Sequence, residues 1–135
     1  MKNLFVYGTL MNDEIQEALV GRSFKKSAAA VDGFIASDLE GRYSPGLKRK
    51  EDSVVNGYVL HDVDDESFQI IKAWENDDYE LIQVEPNNGD FGECSTYLWK
   101  SDILNTPWDN ENFRENHMQW YLDDDIPTFL RSYIS

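Results

Sequence analysis

The chain has 135 residues, 41% of them hydrophobic and 13% aromatic, which suits one compact core and excludes a disordered chain. Twelve Lys and Arg stand against 26 Asp and Glu, a formal net charge of −14 that repels phosphate backbones and anionic bilayers, so neither nucleic acid nor membrane is expected as a partner. No run approaches the ~20 apolar residues of a membrane span. Met1 to Val6 is too short and wrongly flanked for a signal peptide, and the single Cys94 excludes an internal disulfide and reads as a packed thiol, so the expected location is cytoplasmic.

Leu4 to Tyr7 is a short apolar run ending at Gly8, the pattern of a buried strand. Asn12 is a candidate N-cap, Asp13 and Glu14 fall in the first turn, and Gly21 stands at the stop, which predicts a helix with Ile15, Ala18 and Leu19 on one face. From Ser27 to about Leu60 glycines punctuate apolar stretches, predicting several short strands. Pro45 and Gly46 bend "YSPGL", and Lys48, Arg49 and Lys50 beside Glu51 and Asp52 read as a solvated hairpin tip.

Asp64 or Asp65 caps a predicted helix with Phe68, Ile71 and Trp74 at three-residue spacing, so Glu75 lies at its end. The chain then turns through Asn76 to Asp78 into a strand, Tyr79 to Val84, and "GECSTYLWK" supplies another. The acidic triplet Asp123 to Asp125 marks a candidate hinge. Phe113, His117, Trp120 and Tyr121 share a helix face, and Phe129, Leu130, Tyr133 and Ile134 form a second stripe after Pro127. Docking of both stripes on the sheet is one reading; a partner-binding or homodimerising helix is the other.

Phosphate-binding glycine loops, a nucleophile elbow and a His-Glu-x-x-His motif are all missing, and His61 and His117 are too far apart for a local ligand pair. That leaves carboxylates and backbone amides. The turn after Tyr7 can offer N–H groups of Gly8, Thr9 and Leu10 to an anion beside a helix start, although a purely structural turn has the same pattern. Glu75 follows Trp74 and precedes Asp77 and Asp78; water exclusion and like charges would raise its pKa toward that of a neutral-pH base, and a solvated surface Glu is the alternative.

"FVYGTL", "LVGR", "RYSPGL", "VNGYVLHDV", "IIKAWENDDYE", "STYLWK" and "FRENHMQWYL", in this order over Phe5 to Leu122, resemble successive blocks of the γ-glutamylcyclotransferase-like superfamily, most closely its avirulence-induced-gene-like branch. The resemblance implies an α+β fold: a small mixed β-barrel or strongly curved sheet with peripheral helices. It implies one domain over 1–135, with 108–135 a helical extension. It implies that Tyr7, Gly8, Thr9 and Leu10 bind the amino and carboxylate groups of a small γ-glutamyl substrate, that Glu75 is the acid–base, and that Tyr79 borders the site. The implied reaction is cofactor-independent and metal-free, the release of 5-oxoproline by intramolecular aminolysis; a non-catalytic binding module of the same fold is the alternative. Ile71-Lys72, Trp74 and Leu81 depart from the Leu-Asp, Phe and Arg common at those places in the family.

Overall fold

The computed structural model describes residues 2–87 and 91–134. The strands are β1 (Lys2–Val6), β2 (Lys26–Asp38), β3 (Pro45–Val63), β4 (Tyr79–Val84) and β5 (Cys94–Trp99). The helices are α1 (Asp13–Val20), α2 (Asp65–Glu75), α3 (Asn110–Asn116), the short α4 (Met118–Trp120) and α5 (Ile126–Tyr133). One five-stranded sheet runs in the order β2-β3-β1-β5-β4. Among the described residues only the β1–β5 pair is parallel; β1–β3, β2–β3 and β4–β5 are antiparallel.

β1 lies at the centre of that order and is buried on both faces. Leu4 and Val6 join one apolar cluster with α1, α2 and the C-terminal helices; Phe5 and Tyr7 join a second with residues from all the other strands. Burial on both sides explains why its sequence is a continuous apolar run rather than an alternation. Apart from Tyr7, just beyond β1, the second cluster draws its buried members from strands, because the sheet curls over its own concave face. Curling stops short of closure, and β2 and β4 remain edges. At the seam between them Asn87 donates its backbone N–H to the Ala30 carbonyl at 2.9 Å and its side-chain amide to Asp32 at 2.8 Å. Of the two architectures expected, the curved open sheet forms and the closed barrel does not.

The glycine-punctuated stretch forms two long strands rather than several short ones, with a register jump at Gly33 opposite Lys50 to Ser53. Lys48, Arg49 and Lys50 therefore lie within β3; the hairpin tip is Leu39 to Ser44. Asp64 caps α2, accepting from the Ser67 N–H at 3.1 Å. The acidic triplet is no hinge, since Tyr121 to Asp125 wind as a π-helical turn running directly into α5. Phe113, Tyr121 and Ile126 are buried in the same cluster as Leu4 and Ile15, whereas Trp120, Tyr133 and Ile134 stay exposed. Each predicted tail stripe thus divides into a docked half and a solvent-facing half.

Candidate active site around Glu75

β1 ends in the loop Tyr7 to Leu10, whose carbonyls are held from behind. Asn12 is buried and donates its amide to the Thr9 carbonyl at 3.0 Å and to Asn110 of α3 at 2.9 Å. Gln16, fully buried on α1, donates to the Leu10 carbonyl at 2.8 Å and accepts from the Phe24 N–H at 3.0 Å. Lys26 donates to the Met11 carbonyl at 2.9 Å. A trans peptide points its C=O and N–H in opposite directions, so fixing the Thr9 carbonyl on Asn12 fixes the Leu10 N–H pointing away from the Asn12 amide. Thr9 and Leu10 of this loop wind into a 3₁₀ turn, Thr9–Met11, which leads through Asn12 into α1. Gly8 packs against the start of β3, where Pro45 and Gly46 are paired strand residues and the expected bend falls before them at Tyr43 and Ser44: a Cβ on Gly8 would lie 2.7 Å from Pro45 Cγ.

A small cavity opens on this loop. Tyr7, Gly8, Thr9, Leu10, Glu75 and Tyr79, all the predicted site residues, line it, together with Ser44, Pro45 and Tyr97. Glu75 enters from the end of α2 and also lines a wider mouth with Arg42, Tyr121 and Asp125. Tyr7 donates its hydroxyl to the Tyr97 carbonyl at 2.7 Å, and Tyr79 donates to the Pro45 carbonyl at 2.9 Å. The Tyr97 hydroxyl is buried and has no hydrogen-bond partner among the described residues. A buried phenol without a partner is uncommon in native proteins and marks a place for a ligand or a solvent molecule.

Burial is the main reason the Glu75 carboxyl is pushed up to about 8; Arg42 opposes the rise and Asp125 adds to it. The like charge comes from Asp125, far along the chain, rather than from the sequence neighbours Asp77 and Asp78. Asp78 is instead paired with Arg42 at 2.8 Å. Burial, and after it Glu75, raises the phenols of Tyr79 and Tyr97; Tyr7 is raised by burial, Tyr79 and Glu75. Tyr121 is pushed up to about 12 by burial, with Ser44 pulling the other way. Near neutral pH these tyrosines are O–H donors, and Glu75 is poised between acid and carboxylate.

His61 bonds Ser27 at 2.8 Å and His117 stacks on Tyr43 with ring centroids 4.0 Å apart, so both have structural partners outside the cavity. Burial pushes the Cys94 thiol up, in keeping with a packed residue. Among the described residues no group of three or more His, Cys, Asp or Glu could hold a metal, and no helix is long and apolar enough to cross a membrane. Sequence reasoning missed Arg42, Ser44, Tyr97, Tyr121 and Asp125. The block "RYSPGL" contains the first two, and the alternating aromatics of β5 contain Tyr97.

A curled mixed sheet with a half-buried acid facing a strand-end loop defines a small α+β protein with a cavity at the end of β1. The chain belongs to the gamma-glutamyl cyclotransferase, AIG2-like family, whose sequence profile matches residues 4–123. AIG2-like protein D of Arabidopsis thaliana is 27% identical over 130 residues, covering 90% of this chain and 85% of its own. AIG2-like protein C of the same plant is 31% identical over 126 residues, covering 89% and 73%. The solution structure of At5g39720.1 from Arabidopsis thaliana superposes with a TM-score of 0.68 at 26% identity, covering 95% of this chain and 87% of that one. A gamma-glutamyl cyclotransferase structure shares the fold at a TM-score of 0.57 and 15% identity, covering 74% of this chain and 67% of its own.

Proposed function

We propose that the chain is a γ-glutamylcyclotransferase acting on a small γ-glutamyl amine or amino acid, with Glu75 as acid–base. The observation that carries this reading is the convergence of Glu75 with Tyr7 to Leu10 on one cavity. The Glu75 carboxylate takes a proton from the substrate's α-ammonium. The freed amine attacks the γ-carbonyl carbon and closes a five-membered ring; the protonated Glu75 gives its proton to the departing nitrogen as the γ C–N bond breaks, and the second proton on the ring nitrogen passes to solvent or to the released amine. The products are 5-oxoproline and the free amine. With its pKa near 8, Glu75 lies within roughly one to two pH units of an α-ammonium group, so proton transfer in either direction is nearly balanced. Nucleophile and electrophile share one molecule, so a loop that holds the substrate folded supplies much of the acceleration.

Chromatographic detection of 5-oxoproline tests the reading, using purified protein with γ-glutamyl amino acids, γ-glutamyl polyamines, ε-(γ-glutamyl)lysine and glutathione. Saturable binding of a panel member without product would move the assignment to a binding module of the same fold.

The Tyr97 hydroxyl is assigned as a donor to the substrate. Tyr97→Phe is expected to lower kcat/KM by about 10-fold or more, the scale of one lost hydrogen bond to a charged or developing anionic group. It should leave the melting temperature unchanged or higher, because the hydroxyl removed has no protein partner. An unaltered kcat/KM would take Tyr97 out of the site.

We also propose that 1–135 fold as one unit, with 108–135 a helical extension; Met1 and Ser135 lie outside the described residues. Phe113, Tyr121 and Ile126 share the core of α1 and α2, which supports this. Deleting 126–135 removes Ile126, which is 1% exposed, and is expected to cost about 3 kcal/mol or more in urea unfolding. A truncated chain that keeps full stability and only loses self-association would favour the homodimerising tail.

A further inference from the structure

The π-helical turn Tyr121 to Asp125 ends two residues beyond the family-matched segment, which stops at 123. π-Turns occur mainly as single insertions near functional sites. This one brings Asp125 to the mouth lined by Glu75 and Arg42. Asp125 Oδ2 accepts from the Trp74 indole N–H at 2.8 Å, and Trp74 is the residue immediately before Glu75. The Tyr121 ring meets the same indole edge-on, with centroids 6.1 Å apart. Arg42 comes from the β2–β3 tip, tied to Asp78 and lying over the Trp99 ring at 4.9 Å.

We infer that Asp125 is a positioning residue for Glu75: from the C-terminal helices it anchors the Trp74 indole beside the reacting carboxyl and holds a fixed negative charge that opposes Arg42. The inference rests on Glu75 being the acid–base. The charged and titratable groups that line the cavity and mouth with Glu75 come from several elements. Arg42 is on the hairpin tip, Tyr7 at the end of β1, Tyr79 on β4, Tyr97 on β5, and Tyr121 and Asp125 are on the π-turn. The tyrosines stay neutral, so Arg42 and Asp125 are the two fixed charges in the balance, and they act with opposite sign.

Carbon-13 NMR titration of the full chain with side-chain carboxyl-labelled glutamate tests this without turnover, the Glu75 signal being the one absent from Glu75→Gln. Asp125→Asn keeps an oxygen to accept from the indole and removes only the charge. Its Glu75 midpoint is expected to fall by about half a pH unit or more, and Arg42→Gln to raise it by a similar amount. Where turnover is measured, the acid limb of kcat/KM should move the same way, leaving Asp125→Asn more active than wild type on the acid side. An unmoved midpoint in Asp125→Asn, or a uniform loss of activity with the limb in place, would overturn the proposal. A shifted midpoint in a chain that forms no 5-oxoproline would support the Asp125–Glu75 coupling while refuting the cyclotransferase reading.

Discussion

Glu75→Gln is expected to lower 5-oxoproline formation by about 10²–10⁴-fold, the range of a lost general acid–base, and to make the protein more stable in alkaline solution. Gln matches the shape of Glu and cannot ionise. The glutamate's folded pKa, about 8, lies above its ordinary 4.5. Between those values the folded chain holds a proton that the unfolded chain has released, so wild-type stability falls as pH rises through this window. Below about 4.5 both states are protonated and the two proteins should unfold alike. A pKa difference of one between the folded and unfolded chains corresponds to ~1.4 kcal/mol. Solvent at the half-buried side chain reduces the total, and an advantage of about 2–3 kcal/mol at pH 9 is expected for the variant. Urea unfolding at pH 4.5 and pH 9, beside a product assay, measures both effects. Unimpaired turnover would remove Glu75 from the chemistry, and equal stability at pH 9 would remove the burial cost from the account.

Gly57→Ala is expected to destabilise the protein by about 3 kcal/mol or more, at the upper end of overpacking costs. A Cβ at this position would stand 2.2 Å from the Val6 carbonyl oxygen and 3.1 Å from the Phe5 ring. The first obstacle is backbone of the central strand, which cannot swing aside as a side chain can. β1 would have to move away from β3, and the loop at Tyr7 follows directly from Val6, so the site would shift with it. A urea midpoint close to that of wild type would mean that β1 has room that this packing does not provide.

The parts of the fold legible in the sequence are those decided locally. Leu4 to Tyr7 announced a buried strand, Asp64 or Asp65 announced a helix start, and the run from Glu75 to Val84 announced a helix end, a turn and a strand. The same local logic misread residues 27 to 60, because glycine also serves where chains approach closely. Gly46 lies under Leu39 and Trp99, and Gly57 lies against Val6, so neither interrupts β3. The site was legible in part for the same reason. Glu75 and the Tyr7 to Leu10 loop stand out through resemblance and position, and both line the cavity. Arg42, Tyr97 and Asp125 reach it only through tertiary packing. Alternation in β5 says which residues share a face with Tyr97 and nothing about the hollow in front of it. Asp125 sat in an acidic run that read as a hinge, and the charge acting on Glu75 was sought among its sequence neighbours.

The hydrogen bonds from Asn12 and Gln16 to the loop carbonyls, and from Lys26 to the Met11 carbonyl just beyond, mean that the substrate would meet a surface already set. Little conformational freedom is then left for binding to remove, and affinity is not spent on ordering the loop. Conversely, the letters Tyr-Gly-Thr-Leu describe the visible face of a structure whose posts stand behind it. A relative that keeps residues 7 to 10 but replaces Asn12 and Gln16 with apolar residues would retain the spelling of the site while losing its rigidity.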